Sequence, residues 1–409
     1  MKNLETLIQE LCPDGVEFVK LGDVGTFYGG LSGKSKADFT DGNAKFVTYM
    51  NVYSNPALNT DIKDFVKIEE GEKQNKVLYG DVLFTGSSET PNECGMTSVL
   101  TEKTEEDLYL NSFCFGYRFN DIDVVNPGFM KHLFRSHMLR KALAKTASGV
   151  TRFNVSKKKV AKIEIPLPPI EVQTEIVRIL DKFTSLEAEL EAELDCRKRQ
   201  YEYYRDKLLS FDNVGGQEVT ISKIGDIGRI CMCKRIMKNQ TNSESGIPFY
   251  KIGTFGKVAD AYISNDVYEE YKKLYSYPKK GDILMSASGT IGRTVVFNGE
   301  PSYFQDSNIV WVDNDETKVL NSYLNYYYQI IEWKTQGGTI KRLYNNLLAG
   351  ATIKYPSLDE QHRIVSILDR FESLTTSLQT GLPAEISARR QQYEHYRDKL
   401  LTFKRKGAA

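Results

Sequence analysis

The sequence is poor in the residues that build metal centres, disulfide frameworks and membrane spans. It has four histidines and six scattered cysteines, and no apolar run approaches eighteen residues. Neither a CxxC pattern nor a histidine pair accompanies Cys231 and Cys233, so a zinc site and a disulfide framework are not expected. The N-terminus lacks the basic and then apolar order of a signal peptide, which predicts a soluble, cytoplasmic chain with no membrane partner.

The sequence also has no excess of positive or negative charge. Lys and Arg together number 54, as do Asp and Glu, so the formal net charge is zero. A balanced chain is a poor indiscriminate binder of polyanions, although local basic surfaces remain possible.

Complete catalytic motifs are absent. Residues 29–35, GGLSGKS, resemble a phosphate-binding loop, but Tyr28 stands where that loop needs its first glycine. Residues 126–129, NPGF, resemble the tetrapeptide with which adenine methyltransferases hold a flipped base, yet no glycine-rich methyl-donor turn occurs in the chain. We interpret both as turns, the second at the start of a helix. The histidines lie on predicted helices with no matching nucleophile, so the chain is predicted not to be an enzyme and to bind no metal or cofactor itself.

What the chain does have is a long internal repeat. The segment PLPPIEVQTEIVRILDKFTSLEAEL, which continues to QYEYYRDKLLSF, recurs as YPSLDEQHRIVSILDRFESLTTSL, which continues to QYEHYRDKLLTF. Gln173 recurs as Gln361 (361 − 173 = 188) and Tyr201 as Tyr393 (393 − 201 = 192), so the second copy holds four additional residues, at 381–384. A duplicated sequence predicts a duplicated structure.

Both copies are predicted to be helical. Apolar residues recur at three- and four-residue steps, as in Ile179, Phe183 and Leu186, and prolines stand just upstream, where a helix begins easily. About forty residues would span roughly 60 Å, longer than a small domain needs, so the two copies are expected to pair as a coiled coil. Pro383 predicts a kink or break in the second copy.

Each helical copy follows a stretch of about 140 residues with short β-branched and aromatic runs cut by turn residues. KLGDVG at 20–25 matches KIGDIG at 223–228, and GDVL at 80–83 matches GDIL at 281–284. The interiors otherwise differ. This pattern predicts one scaffold that presents two different binding surfaces.

Loops rich in Gly, hydroxyl and basic residues occupy equivalent places in the two stretches. Glycine lets a backbone approach a phosphate, hydroxyl groups and lysines hold phosphates, and Arg or Asn can read base edges. The pattern favours DNA binding by Ser87, Ser88, Ser148, Gly149, Thr151, Arg152, Asn154, Lys157 and Lys158 in the first stretch, and by Ser286, Ser288, Thr290, Arg293, Thr339, Lys341, Arg342 and Tyr344 in the second.

With these features the chain resembles the specificity subunit of type I restriction-modification systems over nearly its whole length. The resemblance rests on the KLGD and KIGD segments, the GDVL and GDIL segments, the loops at 149–152 and 338–342, the segment IPLPPIEVQTEIVRILD and the paired YRDKLL endings. It implies an α+β fold: two target recognition domains with mixed β-sheet, joined by two conserved helices that pack as an antiparallel coiled coil with pseudo-twofold symmetry.

The resemblance also implies domain limits and partners. Recognition domains would cover 19–165 and 219–352, conserved helices 166–212 and 353–405, and an amphipathic segment 1–18 would pack on the helices. Such a chain is not catalytic. It reads a bipartite double-stranded DNA target and docks two methyltransferase (modification) subunits, with restriction subunits in the larger complex. S-adenosylmethionine, ATP and Mg are expected on those partners alone.

The residues by themselves leave two alternatives open. The chain could be a tandem protein-binding adaptor, or a reader of structured RNA that uses the aromatic segment LNYYYQIIEW at 324–333 as a stacking surface. We interpret those tyrosines as helix packing, because Tyr323, Tyr327 and Ile330 share a helix face.

Overall fold

The computed structural model describes residues 4–211, 218–338, 341–377 and 380–407. The chain forms two compact units: unit 1 comprises 1–191 and 385–409, and unit 2 comprises 192–384. No helix in the described ranges is long and apolar enough to cross a membrane. Each unit combines short strands with helices, which confirms the predicted α+β class.

The helices range from single turns to one of 41 residues. In chain order they are α1 (Leu4–Leu11), α2 (Leu21–Val24), α3 (Tyr49–Ser54), α4 (Pro127–Leu133), α5 (His137–Ala144), α6 (Lys157–Val160), α7 (Ile170–Ser210), α8 (Asn265–Leu274), α9 (Asn321–Tyr327), α10 (Asn345–Gly350), α11 (Leu358–Thr376) and α12 (Leu382–Leu400). Short 3-10 turns add Lys36–Phe39, Pro91–Glu93, Ile224–Asp226 and Lys238–Gln240.

The strands of unit 1 precede α7. They are β1 (Phe18–Lys20), β2 (Gly25–Gly29), β3 (Ala44–Val47), β4 (Phe65–Val66), β5 (Lys76–Val77), β6 (Val82–Thr85), β7 (Ser87–Ser88), β8 (Thr97–Val99), β9 (Leu108–Leu110), β10 (Cys114–Phe119), β11 (Ala147–Ser148), β12 (Phe153–Val155) and β13 (Glu164–Pro166).

The strands of unit 2 lie between α7 and α11. They are β14 (Thr220–Lys223), β15 (Gly228–Cys231), β16 (Thr241–Asn242), β17 (Ile247–Tyr250), β18 (Tyr262–Ile263), β19 (Ile283–Ser286), β20 (Thr294–Val296), β21 (Tyr303–Phe304), β22 (Ile309–Asn314) and β23 (Thr352–Tyr355).

The two units share the topology of their central antiparallel sheet, so the repeat extends beyond the helices. An antiparallel sheet of order β2-β10-β6-β8 in unit 1 has its counterpart in the order β15-β22-β19-β20 in unit 2. A second sheet in each unit contains one parallel pair, β3 with β9 and β17 with β21. The first and last strands of each globular stretch also pair, β1 with β13 and β14 with β23. The internal repeat predicted from the sequence is confirmed.

The matching GDVL and GDIL segments build the same turn. Gly80 and Gly281 adopt positive φ angles of 84° and 94°, which only glycine takes readily. The following aspartates accept hydrogen bonds from the backbone amides of Leu78 and Lys279, at 2.8 and 2.7 Å. The pattern that recurs in this chain therefore closes a turn before a central strand.

A buried glutamine fastens each globular stretch to its helix. Gln173 on α7 and Gln361 on α11 are both fully buried. The Gln173 amide donates to the carbonyls of Val124 and Pro168, at 2.9 and 2.8 Å, and its oxygen accepts from the Asn126 amide at 2.8 Å.

The second glutamine makes the equivalent set. Gln361 donates to the carbonyls of Lys318 and Pro356, both at 2.9 Å, and accepts from the Leu320 amide at 2.9 Å. Burial of an amide is favourable only when its hydrogen bonds are made, so each glutamine specifies how its loop docks on its helix.

Within each unit, the two helical copies contact each other through a stacked pair of aromatic residues. In unit 1, Phe183 of α7 stacks on Tyr396 of α12, with ring centroids 5.3 Å apart. In unit 2, Tyr204 of α7 stacks on Phe371 of α11, at 5.7 Å. The phenylalanines occupy equivalent repeat positions, as do the tyrosines, so each contact joins the Phe of one copy to the Tyr of the other.

The unit 1 pair runs antiparallel, as predicted. Arg390 of α12 lies 2.7 Å from Glu187 and 3.2 Å from Glu191 of α7. Phe183 contacts Tyr396, whereas Glu187, later in α7, contacts Arg390, earlier in α12, so the two helices run in opposite directions.

The second helical copy is broken, as the proline predicted. Helix α11 ends at Thr376 and α12 begins at Leu382, with Pro383 in its first turn, where no amide hydrogen bond is lost. A Cβ at Gly381 would lie 2.6 Å from the carbonyl oxygens of Ser373 and Leu374, so glycine is required for this close approach.

The N-terminal segment packs on the C-terminal part of unit 1. Leu4, Leu7 and Ile8 of α1 belong to the core that includes Leu401 and Phe403. The Val16 amide donates to the Lys404 carbonyl at 2.8 Å, which ties the two ends of the unit together.

Candidate nucleic-acid interface

The predicted DNA-binding residues of unit 1 come from three sequence regions and meet on one small sheet, β11-β12-β7. Ser148 lies opposite Asn154, and Asn154 lies opposite Ser87. Phe153 lies opposite Ser88. We call this the unit 1 loop sheet.

A tight turn links two of these strands. Gly149 has a φ angle of 151°, and a Cβ there would collide with the carbonyl oxygen of Arg152. Thr151 and Arg152 are exposed at this turn. Glycine thus folds the loop back so that the Arg152 side chain stands next to the serine strand.

Arg152 is held in place by the residues around it. Its Nε donates to the Ser87 hydroxyl at 3.0 Å, and its guanidinium lies 5.5 Å from the centre of the Phe113 ring. Its two terminal nitrogens have no hydrogen-bond partner within the described part of the chain, which leaves their N–H groups available to a ligand. A positioned guanidinium with free terminal donors is the arrangement that reads the O6 and N7 acceptors of guanine.

Lys157 and Lys158 lie in the single turn α6, which Ser156 caps. Both side chains are exposed, and the Lys157 ammonium lies 5.2 Å from the centre of the Phe115 ring. Flexible exposed ammonium groups suit contact with phosphates better than base reading.

Unit 2 brings its two predicted loops together in the same way. Ser288 bridges Arg342, and the Leu343 amide donates to the Ala287 carbonyl at 2.9 Å. The Arg342 backbone exchanges hydrogen bonds with Gln336, which closes the second loop. Lys341, Arg342 and Tyr344 are exposed, and Thr339 lies outside the described residues.

Two predicted hydroxyl groups of unit 2 face inward. Ser286 is fully buried, and its hydroxyl donates to the Thr290 carbonyl and accepts from the Arg293 amide at 3.0 Å. Ser288 is buried and donates to the Asn308 side chain at 2.7 Å. Both serines therefore shape the loop, while Thr290 at its tip is exposed.

Arg293 is half-buried next to this loop. Its guanidinium lies 5.4 Å from the centre of the Phe255 ring and donates to the Ile252 carbonyl at 3.2 Å. The Arg293 Nε is buried and has no hydrogen-bond partner among the described residues. A buried donor without a partner is costly, so the guanidinium is held there by its other contacts, with the Phe255 ring and the Ile252 carbonyl.

A groove of about 510 Å³ opens beside the unit 1 loop sheet. Besides Ser87, Ser88, Thr151 and Arg152, its walls include residues that the sequence did not single out: Tyr49, Met50, Tyr53, Glu89, Glu93 and Phe113. Met50 and Phe113 are 59% and 58% exposed, unusually high for large apolar side chains. No local sequence signal marks these residues, because they come from α3, the 3-10 turn Pro91–Glu93 and the loops next to β7 and β10, which are separate in the sequence.

The motifs that resembled catalytic loops are structural. Asn126 caps α4 through its side chain, with Pro127 at the first helical position, as the sequence predicted. Lys34 of the phosphate-loop-like segment is paired with Glu72 at 2.5 Å. Tyr323 and Tyr327 on α9 are buried in the unit 2 core, which confirms helix packing over a stacking surface.

Both units match one family model. The model describes the type I restriction modification DNA specificity domain, and it matches residues 13–195 and 216–388. The chain belongs to this family. This specificity subunit therefore provides DNA sequence specificity to a type I restriction-modification system, and by its family membership it is a non-catalytic subunit. The family predicted from the repeat and its motifs is confirmed.

Relatives agree with this assignment. The specificity subunit is 54% identical to a type I restriction enzyme specificity subunit of Haemophilus influenzae over 293 residues, covering 69% of this chain and 74% of that protein. It is 34% identical to a type I restriction enzyme specificity subunit of Escherichia coli over 267 residues, covering 59% of this chain and 63% of that protein.

A solved structure shares the fold. That structure is described as the structural basis of complex assembly and conformational transition of the type I R-M system. It superposes on this chain with a TM-score of 0.62 at 19% sequence identity. The match covers 95% of this chain and 97% of the other. At this identity the likeness concerns the fold.

Proposed function

We propose that the two units read the two halves of one bipartite double-stranded DNA target. The observation that carries the proposal is a shared topology with different loop chemistry: the unit 1 loop sheet and the paired 286–293 and 336–342 loops of unit 2 occupy equivalent places in the repeat. Dissimilar readers on one chain predict dissimilar half-sites, whereas a homodimer would read a palindrome. We place the readers at 19–165 and 219–352.

The same chain would serve as the scaffold of the complex. In this proposal the helical copies, at 166–212 and 353–405, dock two modification subunits, with restriction subunits added in the larger complex, and segment 1–18 braces the helices. S-adenosylmethionine, ATP and Mg would be bound by those partner subunits. The complex would act in the cytoplasm, where the DNA is.

Base reading and phosphate holding are separable by mutation. We expect Arg152→Ala and Arg342→Ala each to weaken binding to the cognate site by about 1–3 kcal/mol and to relax the sequence preference in one half-site, because a guanidinium discriminates among base edges. Binding of the complex to cognate duplexes and to duplexes altered in one half-site measures this.

The matched control is Lys158→Ala. It should weaken binding to cognate and random DNA alike and make the salt dependence shallower, because an ammonium that contacts a phosphate releases about one counterion. Equal losses on cognate and random DNA for the arginine variants would show that the arginines hold phosphates instead.

The purified chain alone should neither cleave DNA nor transfer methyl groups. The reason is chemical: the segments that resemble catalytic loops build a helix cap and an ion pair, and no cluster of His, Cys, Asp and Glu that could hold a metal occurs among the described residues. Incubation with plasmid DNA and radiolabelled S-adenosylmethionine measures both activities. Activity that a point mutation in this chain abolishes would contradict the expectation.

A further inference from the structure

The groove beside the unit 1 loop sheet holds a fixed carboxylate that the proposed function leaves unexplained. Glu93 lies in the 3-10 turn Pro91–Glu93 and lines the groove together with Arg152 and Tyr53. A surface that binds the polyanion DNA repels a carboxylate, so an acidic side chain at this place weakens binding unless it has a positive or hydrogen-donating partner on the DNA.

The exposed Glu93 side chain accepts hydrogen bonds from two directions. Its Oε2 accepts from the Thr90 hydroxyl at 2.7 Å and from the Ser88 hydroxyl at 3.4 Å. Its Oε1 accepts from the Tyr53 hydroxyl at 3.0 Å. The hydrogen bonds from Thr90 and then Tyr53 hold the pKa of Glu93 below its ordinary value, so the group is ionised at neutral pH. Thr90 alone would be an ordinary helix-cap contact, whereas Tyr53 comes from a different helix forty residues away.

The Glu93 carboxylate can accept one more hydrogen bond in addition to the three that it receives from hydroxyl groups. A carboxylate offers about four lone-pair directions, and the three hydroxyl donors occupy three of them. The remaining direction belongs to Oε1. The groove therefore combines a hydrogen-bond acceptor, the Glu93 carboxylate, with hydrogen-bond donors, the N–H groups of Arg152. Reading of base edges uses both kinds of group.

Resting on the proposed function, we infer that Glu93 reads a base that carries an exocyclic amine, cytosine or adenine, at one position of the half-site that unit 1 contacts. In the major groove, cytosine presents the N4 amine and adenine the N6 amine, both donors. Guanine and thymine present the acceptors O6 and O4 at the corresponding place, which repel a carboxylate. Glu93 thus excludes two of the four bases as well as favouring the other two.

The test is in vitro selection from a randomised duplex library with the complex of this chain and its modification subunits, using the wild type and Glu93→Gln. Glutamine keeps one oxygen, which can still accept from the Thr90 and Ser88 hydroxyls, so the turn is preserved. Its amide nitrogen replaces Oε1, where it can donate to the Tyr53 hydroxyl oxygen and to O6 or O4. We expect the wild type to reject guanine and thymine at one position by about 5- to 150-fold. In Glu93→Gln this discrimination should fall below about 2-fold, with all other positions unchanged.

Glu89→Gln is the matched control. Glu89 lines the same groove and carries the same charge, but it has no hydrogen-bond partner among the described residues. Its removal should strengthen binding to all sequences equally without changing the selected motif. An unchanged motif in Glu93→Gln, or the same uniform effect in both variants, would overturn the inference while leaving the bipartite motif of the wild type intact. If the wild type itself selects no bipartite motif, the proposed function fails instead.

Discussion

Exchange of residues 219–352 for the equivalent stretch of a relative with a different target should replace one half-site completely and leave the other unchanged. The structure favours clean exchange because both ends of the stretch lie in unit 2 and meet in one strand pair, β14 with β23, in which Lys223 lies opposite Thr352. The exchanged stretch carries the whole β15-β22-β19-β20 sheet and both loops.

The expected change is large. Specific binding by DNA readers typically exceeds non-specific binding by 10³-fold or more, so the exchanged protein should lose roughly that factor on the old target and gain it on the new one. Mapping methylated adenines in cells that express the exchanged subunit with its modification partner gives both half-sites at once. The reciprocal exchange of 19–165 is the control, and it should change the other half-site. A change in both half-sites after one exchange would contradict separate readers.

Replacement of either buried glutamine by leucine should destabilise the protein strongly. Gln173→Leu removes the partners of the Asn126 amide and of the Val124 and Pro168 carbonyls, while the side-chain volume stays similar. An unpaired buried group costs about 1–3 kcal/mol, and of these residues Pro168 is buried, Asn126 half-buried and Val124 exposed, so we expect a total loss of about 2–3 kcal/mol. Gln361→Leu should behave alike, since its three hydrogen bonds are equivalent.

Urea denaturation and amide hydrogen exchange measure this loss. The next residue in each copy supplies the control. Thr174 and His362 are exposed, so Thr174→Ser, which keeps the hydroxyl that accepts from the Asn126 side chain, and His362→Ala should change stability by less than about 0.5 kcal/mol. If the glutamine variants were no less stable than these controls, the glutamines would not fasten the loops to the helices.

The repeat, the helices and the break at Pro383 follow from the sequence because they depend on local patterns. A stripe of apolar residues fixes which face of α7 is buried, and a proline removes an amide wherever the tertiary structure places it. Once the two copies are known to pair, the sequence also predicts which aromatic residues stack, because Phe183 and Phe371 occupy equivalent positions in the two copies.

The proposed reading surface follows from the sequence only in part. The sequence predicts Arg152 and Asn154 because glycine and basic residues surround them, whereas Tyr53 and Glu93 meet through a contact between residues forty apart in the chain. Ser286 shows the opposite case. Its loop has the composition of a ligand-binding loop, yet the serine hydroxyl bonds the loop's own backbone because the chain turns back at Arg293. Composition identifies a loop, whereas strand pairing decides which of its side chains face outward.

The most direct test of the central claim is the sequence motif that this chain selects when it is purified with its modification subunits and offered a randomised duplex library. Two different readers on one chain predict an asymmetric motif of two short half-sites separated by a gap of constant length and unconstrained sequence. Arg152→Ala should then relax only one half-site and Arg342→Ala only the other. A single contiguous motif, a palindrome, or loss of both half-sites in each single variant would contradict the account.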